Sequence, residues 1–319
     1  MAGDRRASGV GGPVVGLVVV GVLALAACGV GDASPATVGP TAESGVENPS
    51  APSRGPLPAS VTFDVEVAQA RSDRVARLVE LQVRNTGPVD VSITRARLTS
   101  AFVSGETAAG RDVDAGSMRR VRVPLGATAC GPAAGDDPEA RVELDVTTAD
   151  GRTGTVTVTP TDETDDLRRI HGEDCAAVAA AAGLRVTVAD GLAVRDVDGA
   201  PVADVTLLVE PVPGGPRVRI VSVQSTTLLR PLGSTGQWVV DVDSAAPPVD
   251  GRLVLSTVPA RCDLHAIAED KRGTVLGVRT VVDDVEQPLF YVAASDALRG
   301  ALYDYVRTAC GLATDARTG

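Results

Sequence analysis

From residue 61 onward apolar side chains recur at every second position, the period of a strand with one face buried. Val61, Phe63, Val65 and Val67 alternate with Thr62, Asp64 and Glu66. Val79, Leu81 and Val83 flank Glu80 and Gln82, and Val142, Leu144 and Val146 follow Arg141 in the same beat. Asn85-Thr86-Gly87-Pro88 and Asp150-Gly151 separate such runs with residues that tolerate positive φ or preset a bend, so they predict turns. Short alternating strands at this spacing predict a β-sandwich.

The second half repeats the plan, with Leu184, Val186 and Val188, then Val205, Leu207 and Val209, Val218 and Ile220, and Trp238, Val240 and Val242. Trp238 alternates with Val240, which predicts a core position for the indole. The repetition extends to the cysteines. Val121 and Val123 precede Cys130 by nine and seven residues, and Leu253 and Leu255 precede Cys262 by the same intervals. Each half ends in a helical segment before its second cysteine, Asp166 to Ile170 in the first and Ser295 to Ala309 in the second. In the second, Ser295 suits an N-cap, Leu298, Leu302, Tyr305, Val306 and Ala309 share one face, and Gly311 lies just past the end. That face is expected on the sandwich. The Ala-rich run from Ala176 to Gly183 marks the expected boundary, giving sandwich domains over residues 59–178 and 183–312.

The N-terminus has a different composition. Arg5 and Arg6 precede an apolar run from Val14 to Ala27, which at 14 residues falls short of the roughly 20 a membrane-crossing helix needs. It has the layout of an export signal, and Ala7-Ser8-Gly9 lack the apolar pair of a twin-arginine leader. Leu25-Ala26-Ala27-Cys28 resembles the lipobox of bacterial lipoproteins, in which the thiol receives a diacylglyceryl group and the preceding bond is cut. The resemblance implies residues 1–27 as signal, Cys28 as the lipidated residue, and a chain held at the extracytoplasmic face of the cytoplasmic membrane. The competing reading is a plain signal peptide cleaved at Ala27, with Cys28 as a free thiol. Residues 28–58 then carry Pro35, Pro40, Pro49, Pro52, Pro56 and Pro58 among small residues, the composition of a tether spanning roughly 30 Å on average.

Setting Cys28 aside leaves Cys130, Cys175, Cys262 and Cys310, spaced 45 and 48 residues apart within each half. Four cysteines allow three connectivities; the repetition favours one bridge per domain. A zinc site would need close cysteine pairs with histidines nearby, which the sequence lacks. Strand content, the V-x-N-T-G turn at Val83 to Gly87 and one bridge per unit together resemble bacterial immunoglobulin-like domains. The resemblance implies a mainly β fold of two tandem sandwiches, each ending in a short helix. It brings no catalytic motif, and the cysteines sit later than the inter-sheet bridge of antibody domains.

Acidic residues outnumber basic ones 41 to 30, a formal net charge of −11, which argues against nucleic-acid binding. Lys271 is the only lysine, and arginine, alanine, valine and glycine usage looks like that of a GC-rich genome, as in actinobacteria. Chemistry-bearing residues are sparse. His171 sits among charges with Glu173 and Asp174 and is expected at the solvated surface. On a strand, Asp263 and His265 would point to one side and could orient an imidazole, the one polar site to test. The acid pairs Asp112/Asp114, Asp196/Asp198, Asp241/Asp243 and Asp283/Asp284 read as turn formers, since the EF-hand spacing is missing. Met118 is the only methionine after Met1, which argues against copper delivery, and no nucleophile elbow, H-E-x-x-H, phosphate loop or dinucleotide motif occurs.

Two readings of function follow. The first is a non-enzymatic binding or adaptor module of the cell envelope without a cofactor, contacting an envelope protein or cell-wall component through loops or a strand edge. The second is an envelope hydrolase using carboxylates near Asp263 and His265, which requires a concave pocket around them.

Overall fold

The computed structural model describes residues 55–312, apart from residues 132–134, 136, 235, 264, 266 and 268–272. Cys28, with the signal and most of the tether, lies outside the described residues. The fold is mainly β, as the period-two pattern requires. The first sandwich is built from β1 (Phe63–Ala68), β2 (Leu78–Asn85), β3 (Val91–Thr99), β4 (Ser104–Val113), β5 (Met118–Pro124), β6 (Arg141–Thr148) and β7 (Thr153–Val158). A β1-β2-β5 sheet faces a β4-β3-β6-β7 sheet, with all named pairings antiparallel. Val65, Leu81 and Val121 of one sheet meet Ile93, Leu98 and Leu144 of the other in one buried core.

The second sandwich comprises β8 (Leu184–Val188), β9 (Ala193–Val197), β10 (Ala200–Pro211), β11 (Val218–Val223), β12 (Leu229–Pro231), β13 (Trp238–Asp243), β14 (Arg252–Pro259), β15 (Val275–Val282), β16 (Val285–Glu286) and β17 (Phe290–Ala293). One sheet runs β12-β14-β10-β8 with β9 beside β10; the other runs β13-β11-β15-β16 with β17 beside β15. The cores of β1-β2-β5 and β8-β10-β14 correspond, as do those of β4-β3-β6 and β13-β11-β15. Register agrees too: Leu81 lies opposite Val121, and Leu207 opposite Leu253. Both sandwiches carry a bulge after an inward-facing isoleucine, between Ile93 and Arg95 against β4 and between Ile220 and Ser222 against β13. Trp238 is buried and donates its indole N–H to the Ser256 carbonyl at 3.0 Å.

The V-x-N-T-G segment closes on a buried asparagine. Asn85 donates through Nδ2 to the Val89 and Val113 carbonyls at 2.8 and 3.1 Å and accepts from the Gly87 N–H at 3.1 Å, which ties the β2–β3 turn to the end of β4. A Cβ on Gly87 would stand 2.1 Å from the Ser60 carbonyl oxygen, so the turn excludes any side chain there.

The two disulfides join Cys130 to Cys175 and Cys262 to Cys310. Each pins the loop after the third strand of the three-strand sheet core (β5 or β14) to the helix that follows the sandwich. The C-terminal helix, α2 (Asp296–Ala309), matches its sequence pattern closely. The Ser295 hydroxyl accepts from the Leu298 N–H at 3.2 Å, and Leu298, Leu302, Tyr305 and Val306 are buried in the second core. Burying each of the aliphatic side chains among them contributes roughly 1.5–3 kcal/mol. The Tyr305 hydroxyl lies 3.0 Å from both the Pro201 and the Thr257 carbonyl oxygens, and Gly311 takes a φ of +62° just past the helix.

The first helix differs from its expected extent. α1 (Asp166–Gly183) does not stop at Ile170 but continues through the Ala-rich run and passes directly into β8. Leu167 and Ile170 are buried in the first core, whereas Ala176 and Ala180 are buried in the second. Small side chains let the helix approach the second sandwich: a Cβ on Gly183 would fall 2.0 Å from the Pro216 carbonyl oxygen. The described residues accordingly fall in one compact unit. Asp162 rather than the preceding residue caps α1, accepting from the Asp166 and Leu167 N–H groups at 2.8 and 2.9 Å. No helix among the described residues is long and apolar enough to cross a membrane.

Candidate functional site

The crevice where the two sandwiches meet gathers residues from four segments. Arg74, Val75 and Arg77 come from the β1–β2 connection, Glu173, Asp174 and Ala177 from α1, and Val275, Tyr291 and Ala293 from β15 and β17. One wall is ionic. The Arg77 guanidinium pairs with Asp174 and donates to the Gly126 carbonyl at 2.9 Å, while Asp174 also accepts from the Thr128 hydroxyl. The other wall is apolar, with Tyr291 laid over Gly277, whose Cβ position would be 3.2 Å from the ring. Val75 is half exposed at its mouth. At about 200 Å³ the space is smaller than the roughly 300–1,000 Å³ of small-molecule sites.

His171 is half-buried, in contrast with its expected place on the solvated surface. Inside α1, one turn before Cys175, its ring stacks on Phe102 at a centroid distance of 4.2 Å, and Nε2 lies 2.9 Å from the Ala129 carbonyl oxygen beside Cys130. The imidazole therefore backs the disulfide and braces the same loop. Sequence reasoning missed this because the neighbouring charges suggested a solvated surface, whereas the helix turns His171 inward.

Asp263 and His265 do not share a strand face. β14 ends at Pro259, Asp263 sits at a bend and His265 has helical backbone and is exposed. The Asp263 carboxylate is engaged by the Arg261 guanidinium at 3.0 Å. The acid pairs lie mostly at turns. Asp196 accepts from the Gly199 N–H at 2.9 Å across the β9–β10 turn, and Asp283 and Asp284 both have positive φ in the β15–β16 turn. Among the described residues, no three His, Cys, Asp or Glu side chains come together in a metal-holding arrangement.

The outer face of the β4-β3-β6-β7 sheet carries an alternating ladder of charge. Arg95 bridges Asp145 and Glu106, and Arg97 bridges Glu106 and Glu143. The Thr155 hydroxyl donates to Asp145 at 2.6 Å. That hydrogen bond, with Arg95 beside it, outweighs partial desolvation and holds the Asp145 carboxyl below its ordinary range. Glu106 is lowered by its hydrogen bond from Arg97. The ladder stops at β7, whose sequence is Thr-Gly-Thr-Val-Thr-Val.

No protein-family model matches the sequence, and no curated protein matches it. Among the solved structures with a weak likeness, three illustrate its level. One is a transglutaminase of red sea bream, at 14% identity with a TM-score of 0.20, covering 75% of this chain and 32% of that one. The present chain thus spans about a third of that enzyme's length. Another is a CsuC–CsuE chaperone–tip adhesion subunit complex of Acinetobacter baumannii pili, at 10% identity with a TM-score of 0.18, covering 74% of this chain and 100% of that one. The third is a protein of unknown function from Porphyromonas gingivalis W83, at 13% identity with a TM-score of 0.20, covering 74% and 100%. Scores this low lend none of them weight in the argument.

Proposed function

We propose that the chain is a bacterial, actinobacterial-type lipoprotein anchored through Cys28 to the outer face of the cytoplasmic membrane. Its paired sandwiches act as a non-enzymatic binding or adaptor module for an envelope protein or cell-wall component. The observation that carries the binding role is α1, seated in both cores, because it makes the two sandwiches one compact unit with loops and strand edges at fixed spacing. The two disulfides support the address, since such bridges persist in oxidising compartments outside the cytoplasm. The interdomain crevice is the place where a partner's anchoring residue fits.

Mass spectrometry of the chain isolated from membranes tests the anchor. The expected mature N-terminus is a diacylglyceryl-modified Cys28, and Cys28→Ala is expected to abolish the modification and processing. A mature terminus elsewhere would remove the anchor from the reading. Site-directed crosslinking from Val75 and Tyr291 in intact envelopes tests the binding role. A defined envelope product lost on Tyr291→Ala is the expected result, and identical products from wild type and variant would exclude the crevice as the contact.

A further inference from the structure

Among the described residues, the longer sheet edges are guarded in all but one place. β4 and β13 carry bulges, β5 carries Arg119, Arg120, Arg122 and a terminal Pro124, and β1 is covered by Thr161, which bonds to Val65 and Val67. β8 and β9 are short and bear Arg185 and Arg195, while β12 and β16 have only three and two residues. These are the devices by which native sheets avoid adding strands. Among the described edge strands of five or more residues, β7 alone has no charge, no proline and no bulge.

The ladder fixes which groups of β7 are free. Thr148 donates its N–H to the Arg152 carbonyl at 2.9 Å, so residues 148 and 152 form a hydrogen-bonded pair. In an antiparallel ladder such pairs alternate. From the register of β6 on β7, Gly154, Val156 and Val158 therefore direct their backbone groups at β6. Thr153, Thr155 and Thr157 direct an N–H and a carbonyl each away from the sheet, and all three are exposed. Leu57 does not obstruct this row: it packs where a Cβ on Gly154 would point, on the core side of the strand.

We propose that β7 pairs with β7 of a second copy of this chain, antiparallel about a two-fold axis at Thr155, joining two four-stranded sheets into one. The occupant follows from the row itself. Every outward group finds a partner when Thr153 faces Thr157 of the second copy and Thr155 faces its counterpart, a register that the same strand supplies without a change. On a chain with a formal charge of −11, an uncharged strip is also where two copies approach with least repulsion. A single six-residue strand is short beside a standard interface of about 800 Å² per partner, so the association is weak and concentration-dependent.

Sedimentation equilibrium of the full chain over a micromolar-to-millimolar range, with amide hydrogen exchange at both ends of it, tests the proposal. The expected result is a monomer–dimer equilibrium in which protection of Thr153, Thr155 and Thr157 rises with concentration. Thr155→Pro removes an outward backbone donor, and with it the hydroxyl bond to Asp145, while leaving the backbone bonds of Gly154 and Val156 to β6; proline is tolerated at a strand edge, and the variant is expected to abolish the dimer. Should that variant misfold, charge-swapped pairs decide the matter. T153K/T157K and T153E/T157E are each expected to be monomeric and to associate when mixed, because residue 153 faces residue 157 across the axis. A chain that stays monomeric throughout, a dimer indifferent to these changes, or protection confined to other strands would overturn the proposal. So would a row occupied only by a strand from a different protein.

Discussion

Removing the Cys130–Cys175 bridge, as Cys130→Ala with Cys175→Ala, tests both the disulfide and the shared helix. The bridge closes a loop with a sequence separation of 45 residues, and its counterpart Cys262–Cys310 one of 48. Chain-entropy reasoning assigns each about 4 kcal/mol at 25 °C, because opening the link restores freedom to the unfolded chain. The near-equal separations predict near-equal losses. What distinguishes the pairs is position: Cys175 lies on α1 between the residues that enter the first core and those that enter the second. If α1 couples the sandwiches, calorimetry of the wild type shows one transition. Each double variant then lowers that transition by roughly 8–16 °C, at about 2–4 °C per kcal/mol for a unit of this size. Two transitions of which only one moves would show that the sandwiches unfold separately and refute the coupling. A loss below about 1 kcal/mol in both variants would refute the loop-closure estimate instead.

Two further outcomes follow from individual residues. Gly183→Ala places a methyl 2.0 Å from the Pro216 carbonyl oxygen and 2.7 Å from a Val218 methyl. Overpacking of this kind should cost about 1–3 kcal/mol, with chemical denaturation as the readout and an unchanged midpoint as the contrary result. Burial pushes the Asp166 carboxyl upward, but hydrogen bonds from Arg169, Thr164 and the Gln69 N–H together hold it below the ordinary range. A carboxyl depressed in the folded state stabilises fully above its unfolded value of about 3.9 and loses that contribution as pH falls through the folded value. Asp166→Asn should therefore be less stable than wild type at neutral pH and show a shallower acid limb below about pH 4; parallel acid limbs would count against the network.

Much of this architecture was legible in the sequence, because half-buried strands leave a strict alternation and a helix cap leaves a serine at a fixed offset. Val61 to Val67 needed no more than this, and neither did Ser295 with Leu298, Leu302 and Tyr305. The repeated interval before Cys130 and Cys262 was enough to favour one pairing over two others. α1 was less legible for a physical reason. Alanine buries little area, so Ala176 and Ala180 give no apolar stripe, and Gly183, the end of the expected boundary, is instead a close approach to Pro216. The candidate site was hidden more deeply. Arg77, Asp174 and Tyr291 are far apart in sequence, and nothing local to any of them signals that the junction brings them together.

The uninterrupted passage of α1 into β8 also makes residue count an angular gauge. Each residue of an α-helix advances the chain by about 100° and 1.5 Å. The interval from Ile170, fixed in the first core, to Ala176, fixed in the second, therefore sets the phase of one sandwich about the helix axis relative to the other. A single inserted residue there would swing the second sandwich through more than a quarter of a turn, while every strand in both halves kept its own sequence.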